Sequence, residues 1–133
     1  HAFGQLHVSA SNPFSIAAFE AAYRNGGPWL DALMAYLAET RDFVLDFVAG
    51  NLPGIVAVKP EGTYLIWLDC RGLGLDDAAL QDFFVHKARV GMNPGSVFGT
   101  GGSGFMRLNI GAPRAVVAEA LARVAAAFAS LQG

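Results

Sequence analysis

The chain has 133 residues, 53% of them hydrophobic and only 15% charged, where a globular domain is usually about a quarter charged. That length suits one ordinary domain, and the composition excludes a disordered tail, which combines high charge with few apolar groups. A net charge of −2 leaves no basic footprint for nucleic acid or an anionic membrane surface, and no apolar run reaches the ~20 residues of a bilayer span.

At the start, His1 in place of Met points to an excised segment. His1–Gln5 has no basic stretch leading into an apolar core, so no signal peptide is expected. Residues 1–14 show no period and read as an extended arm. Ser15 to about Asn25 reads as a short helix with Ser15 as its N-cap, ended by Gly26-Gly27. Pro28 opens a long helix to about Ala49, stopped by Gly50. Leu30, Leu33, Leu37, Val44 and Val48 form one stripe on it, and Trp29, Tyr36, Phe43 and Phe47 form a second. Together they are wider than the ~100° of a single core face.

Ile55–Lys59 and Thr63–Asp69 are rich in β-branched and aromatic residues and read as a hairpin around Pro60-Glu61-Gly62. Asp76 and Asp77 begin a helix reaching about Arg89, with Leu80, Phe83 and Phe84 inward. Val90–Met92 reads as a short strand. A glycine-dense stretch, Pro94 to Gly104, leads into the strand Phe105–Ile110, and Pro113 starts a last helix to about Leu131. The expected fold is α+β: a small, mostly antiparallel sheet of three or four strands with helices on one face, plus a long N-terminal helix.

Three features could carry chemistry. The glycine-dense loop lets backbone approach a ligand, but it lacks the Gly-Lys-Ser/Thr of a phosphate loop and runs into a strand, so a long turn between two strands is the favoured reading. Strand alternation puts Phe105, Arg107 and Asn109 on one face and Met106, Leu108 and Ile110 on the core face. A guanidinium is a planar fork that matches a carboxylate, while the plain alternative is an edge-strand arginine in water. Tyr64 opens its strand beside a glycine and could face a ligand. The histidines His1, His7 and His86 are scattered, and no His/Cys/Asp/Glu group has metal-ligand spacing, so no metal is expected. The single cysteine, Cys70, forbids an intrachain disulfide and reads as a structural thiol in a reducing, cytoplasmic setting.

Ala21-Ala22-Tyr23, Gly27-Pro28-Trp29-Leu30-Asp31 and Tyr36-Leu37 resemble the helix pair entering the small domain of fold-type I pyridoxal-phosphate (PLP) enzymes. Gly62 through Asp69 is similar to the hairpin strand of that group. Pro94-Gly95 through Phe98-Gly99, with Gly104-Phe105-Met106-Arg107-Leu108-Asn109, resembles the loop and strand that close its substrate site. Within the class I/II aminotransferase superfamily the resemblance is to the cystathionine β-lyase-like C–S lyases, from about residue 12 to 131. It implies that Arg107 binds the α-carboxylate of an amino-acid substrate, with Asn109 in support and Tyr64 nearby. It also implies PLP in a full-length enzyme, a homodimer, and cleavage of sulfur amino acids to a thiol, pyruvate and ammonia.

The family's large domain, with its Schiff-base lysine, is expected to precede this segment. The two lysines here, Lys59 and Lys87, sit in no matching motif. The segment alone is therefore expected to hold no PLP, to carry no catalytic residue and to be inactive. The implied division is residues 1–27 packing on the large domain, 28–52 as a linking helix and 53–133 as the small domain. The excess apolar surface of the N-terminal third is expected to drive self-association. An aminotransferase would use the same arginine and fold, and the ligand-sensing or oligomerisation domain of an aminotransferase-like transcription regulator is a further alternative.

Overall fold

A computed structural model describes residues 12–130. Most of the expected arm, with His1 and His7, lies outside the described residues, as does Leu131. The chain divides into two units between Ala35 and Tyr36.

The first unit contains helix α1 (Pro13–Asn25) and the opening of α2 (Gly27–Asn51). The arm ends sooner than expected, because Asn12 and not Ser15 is the N-cap: the Asn12 side chain accepts the Ser15 N–H at 2.9 Å. Pro13 follows at the first helical position, where a missing N–H costs nothing. Gly26 closes α1 by donating to Ala22 O at 2.8 Å. A Cβ at Gly26 would stand 2.4 Å from that oxygen, so only glycine fits. No residue of α1 is buried, and Phe14, Phe19 and Tyr23 are all exposed.

In the second unit α2 runs two residues past its expected end. Gly50 is accommodated within the helix, which stops where Leu52 turns into the core ahead of Pro53. Leu37, Thr40, Val44 and Val48 form its buried stripe at spacings of three and four. Phe43 and Phe47, expected on a second stripe, are partly buried against the same core. Thr40 is the one buried polar side chain among the described core residues. Its hydroxyl donates to Tyr36 O at 2.9 Å.

The sheet has four antiparallel strands in the order β1-β2-β4-β3. They are β1 (Val56–Val58), β2 (Leu65–Asp69), β3 (Asn93–Pro94) and β4 (Phe105–Asn109). The expected hairpin forms from β1 and β2 with shorter strands, and Thr63, not a glycine, takes the left-handed conformation at φ 66°. The strand expected at Val90–Met92 is displaced to Asn93–Pro94. Val90 N–H donates to Phe84 O at 2.8 Å, so it belongs to the preceding helix end and cannot join a ladder.

That preceding helix also differs from expectation. Helix α3 (Asp77–Asp82) starts on Asp76, whose side chain accepts the Ala79 N–H at 2.8 Å. It then widens into a π turn at Phe83–Lys87, and Arg89, at φ 55°, ends it. The wider turn places both Phe83 and Phe84 in the core, their rings 5.0 Å apart. Helix α4 (Arg114–Ala129) buries Val117, Leu121, Val124 and Phe128, the expected face. Helices α2, α3 and α4 meet Ile66, Leu68, Met106 and Leu108 of the sheet in one cluster. Each large apolar side chain buried there contributes ~1.5–3 kcal/mol. This is the expected α+β architecture, with helices on one sheet face and the other face open.

Candidate functional site

The open face is the odd register of the central strands. Trp67 pairs with Arg107, Asp69 with Phe105 and Leu65 with Asn109, while Val58 of β1 lies opposite Trp67. Their alternate neighbours Ile66, Leu68, Met106 and Leu108 point into the core. The expected alternation is thus observed: Phe105, Arg107 and Asn109 share the face that lacks helices.

The glycine-dense loop folds back over this face. A 3-10 turn, Gly95–Phe98, follows β3 directly. A Cβ at Gly95 would stand 2.2 Å from Gly102 O, and one at Gly102 would stand 2.0 Å from Gly95 O. The two backbones touch, and no side chain fits between them. Gly99 and Gly101, at φ 107° and 91°, carry the chain round between these points. Asp77 holds the far end, accepting the Gly104 N–H at 2.8 Å. The two adjacent aspartates therefore divide the work: Asp76 caps α3 and Asp77 anchors the loop.

The loop delivers Phe98 onto the sheet. Its ring stands 5.5 Å from Trp67 in an edge-on contact and 4.4 Å from the guanidinium carbon of Arg107. Val58, Trp67, Phe98, Phe105 and the loop glycines line an open apolar groove of about 320 Å³. Arg107 lies between Phe98 and Asn93, whose Oδ1 accepts from Nη2 at 3.1 Å. Its Nε is buried without a hydrogen-bond partner, and none of the ion pairs among the described residues involves it. A buried donor left unmade costs ~1–3 kcal/mol, so this arginine is short of an acceptor.

Asn109 and Tyr64 both lie against Gly111 at the end of the strand pair. Asn109 Oδ1 accepts the Gly111 N–H at 2.8 Å, and Tyr64 O accepts the Ile110 N–H at 2.9 Å. A Cβ at Gly111 would lie 3.1 Å from Asn109 Oδ1 and 3.2 Å from the Tyr64 ring. The Tyr64 ring is half exposed.

Sequence reasoning missed two partners of Arg107. Asn93 was hidden because the strand was expected three residues earlier, and Phe98 because nothing in a glycine-dense loop shows where it folds back. The Asn93-Pro94 pair was the available signal, since the residue before proline is held extended.

Elsewhere, Asp69 accepts from Arg71 Nε at 2.9 Å and from Nη2 at 2.7 Å, and this bond holds the Asp69 carboxyl below its usual range. Burial, helped by the Asp69 charge, pushes the Cys70 thiol up to about 12, as a structural thiol would have it. No group of three or more His, Cys, Asp or Glu side chains among the described residues could hold a metal ion. No helix among them is long and apolar enough to cross a membrane.

No family model matches the chain. A cystathionine β-lyase of Bacillus subtilis is 44% identical over 117 residues, 88% of this chain and 30% of the relative. Cystalysin from Treponema denticola, whose structure contains PLP, superposes with a TM-score of 0.87 at 38% identity, over 90% of this chain and 30% of that one. A PLP-bound C–S lyase from Staphylococcus hominis, complexed with L-cycloserine, gives a TM-score of 0.83 at 31% identity, over 97% of this chain and 34% of that one. The chain spans about a third of the length of these relatives.

Proposed function

We propose, because the chain belongs to the cystathionine β-lyase-like family of PLP-dependent, aminotransferase-fold enzymes and spans their C-terminal part, that it is the substrate-carboxylate domain of a C–S β-lyase. The full-length enzyme cleaves a sulfur amino acid to a thiol, pyruvate and ammonia. Arg107 binds the α-carboxylate, and the observation that carries this role is a guanidinium on the helix-free sheet face that no carboxylate among the described residues pairs, packed against Phe98 at the wall of the apolar groove. A substrate carboxylate supplies the counter-charge that the described residues do not, and a planar fork suits it better than any other common side chain. Asn109 supports the end of the arginine strand, and Tyr64 borders the substrate.

The residues present do not fit a PLP site on this segment alone. A covalent anchor needs a lysine, and neither lysine lines the Phe98 groove. Lys59 borders a separate groove with Asp46 and Leu52, and Lys87 is exposed in the π turn. The cofactor and its lysine therefore belong to a preceding large domain, in a cytoplasmic homodimer, and the segment without that domain is inactive and self-associates through its exposed N-terminal helix.

The test is Arg107→Lys in the full-length enzyme, which keeps the charge and loses the fork. KM for the amino-acid substrate rises roughly 10- to 100-fold, the loss of one charge-assisted bond. An unchanged KM would refute the carboxylate role.

A further inference from the structure

We propose that Asn93 is a positioning residue for Arg107, fixing the plane of the guanidinium so that its free donors face the substrate carboxylate; this rests on the carboxylate reading above. Three observations place Asn93 in that role. It lies directly opposite Arg107 in the β3–β4 register, so the two side chains rise from the same face. Its Oδ1 accepts from Nη2 at 3.1 Å, the one hydrogen bond of this guanidinium among the described residues. Pro94 follows it, which confines Asn93 to extended backbone and so holds its side chain on the Arg107 face.

The chemistry favours an amide over other residues at this position. A guanidinium has five N–H donors and no acceptor, so whatever orients it must accept. An aspartate would orient it too, but its charge would occupy the fork and compete with the incoming carboxylate. A neutral carbonyl takes one donor and leaves four. Phe98 completes the grip from the ring side at 4.4 Å, so the guanidinium is held in plane by a hydrogen bond and across its face by an aromatic ring. Neither contact satisfies Nε.

The experiment uses the full-length enzyme and two competitive ligands, L-alanine and L-alaninamide, which differ in the carboxylate. Asn93 is exposed, so its variants fold. Asn93→Ala raises the inhibition constant of L-alanine about tenfold and leaves that of L-alaninamide unchanged. Asn93→Asp raises the L-alanine constant further, because its charge fills the fork. An unchanged L-alanine constant in Asn93→Ala overturns the proposal, as does an equal loss for both ligands, which marks general damage. Arg107→Lys separates the two claims. If it weakens L-alanine while Asn93→Ala is silent, only the Asn93 role falls. If it weakens neither ligand, the carboxylate reading falls and takes the Asn93 role with it.

Discussion

Replacing Gly95 by alanine tests whether the loop is clipped to the sheet by backbone contact. The added Cβ would stand 2.2 Å from Gly102 O, and 2.9 Å from both Cβ and O of Phe105. The first distance falls 0.8 Å short of the 3.0 Å that real Cβ atoms keep. All three obstacles are main-chain atoms or a Cβ, which no rotamer change can move. The cost therefore lies well inside the ~1–3 kcal/mol range of overpacking. A loss of ~2 kcal/mol lowers Tm by roughly 5–10 °C in a domain of this size. Thermal unfolding of the chain followed by circular dichroism reads that shift. Gly91→Ala is the control, since its Cβ would meet nothing within 4 Å. Trp fluorescence gives a second readout, because Phe98 leaves the edge of Trp67 when the clip opens. Gly95→Ala melting together with wild type, or Gly91→Ala losing as much, would refute the reasoning.

Other outcomes follow from the packing and the ionisable groups. Phe84→Ala empties a fully buried site and destabilises the chain by ~3–5 kcal/mol in urea unfolding. The Asp69 carboxyl titrates lower in the folded chain than in the unfolded one, so its contribution is present above about pH 4 and is lost as pH falls through the folded value. Asp69→Asn should accordingly flatten the fall of Tm between about pH 5 and about pH 3 relative to wild type. The Cys70 thiol, buried and pushed up to about 12, should resist an aromatic disulfide reagent in the folded chain and react only when urea unfolds it.

The elements that sequence reading located are those whose apolar period meets one core. The stripe of α4 and the two faces of β4 appear where the pattern puts them, because burial enforces the period. Arg107 was legible for the same reason: an arginine in an apolar strand must lie on the open face. What escaped depended on local competition or on contact at long range. Asn12 took the cap from Ser15 because Pro13 can occupy the first helical turn. The π turn at Phe83–Lys87 is set by the demand to bury two adjacent rings, and no propensity scale registers that demand. The short strand moved to Asn93 because Val90 was already committed to Phe84. Phe98 reaches Arg107 only through the Gly95–Gly102 contact, which joins residues that no local pattern relates.

That contact has a consequence for variation at the site. With the Gly95 and Gly102 backbones in contact, residues 96–101 form a closed excursion between two fixed points. Changes of side chain or length inside it reshape one wall of the groove without moving β4 by a residue. Arg107 and the wall beside it can therefore change independently, because a substitution within the loop leaves the place of the arginine on the sheet unaltered.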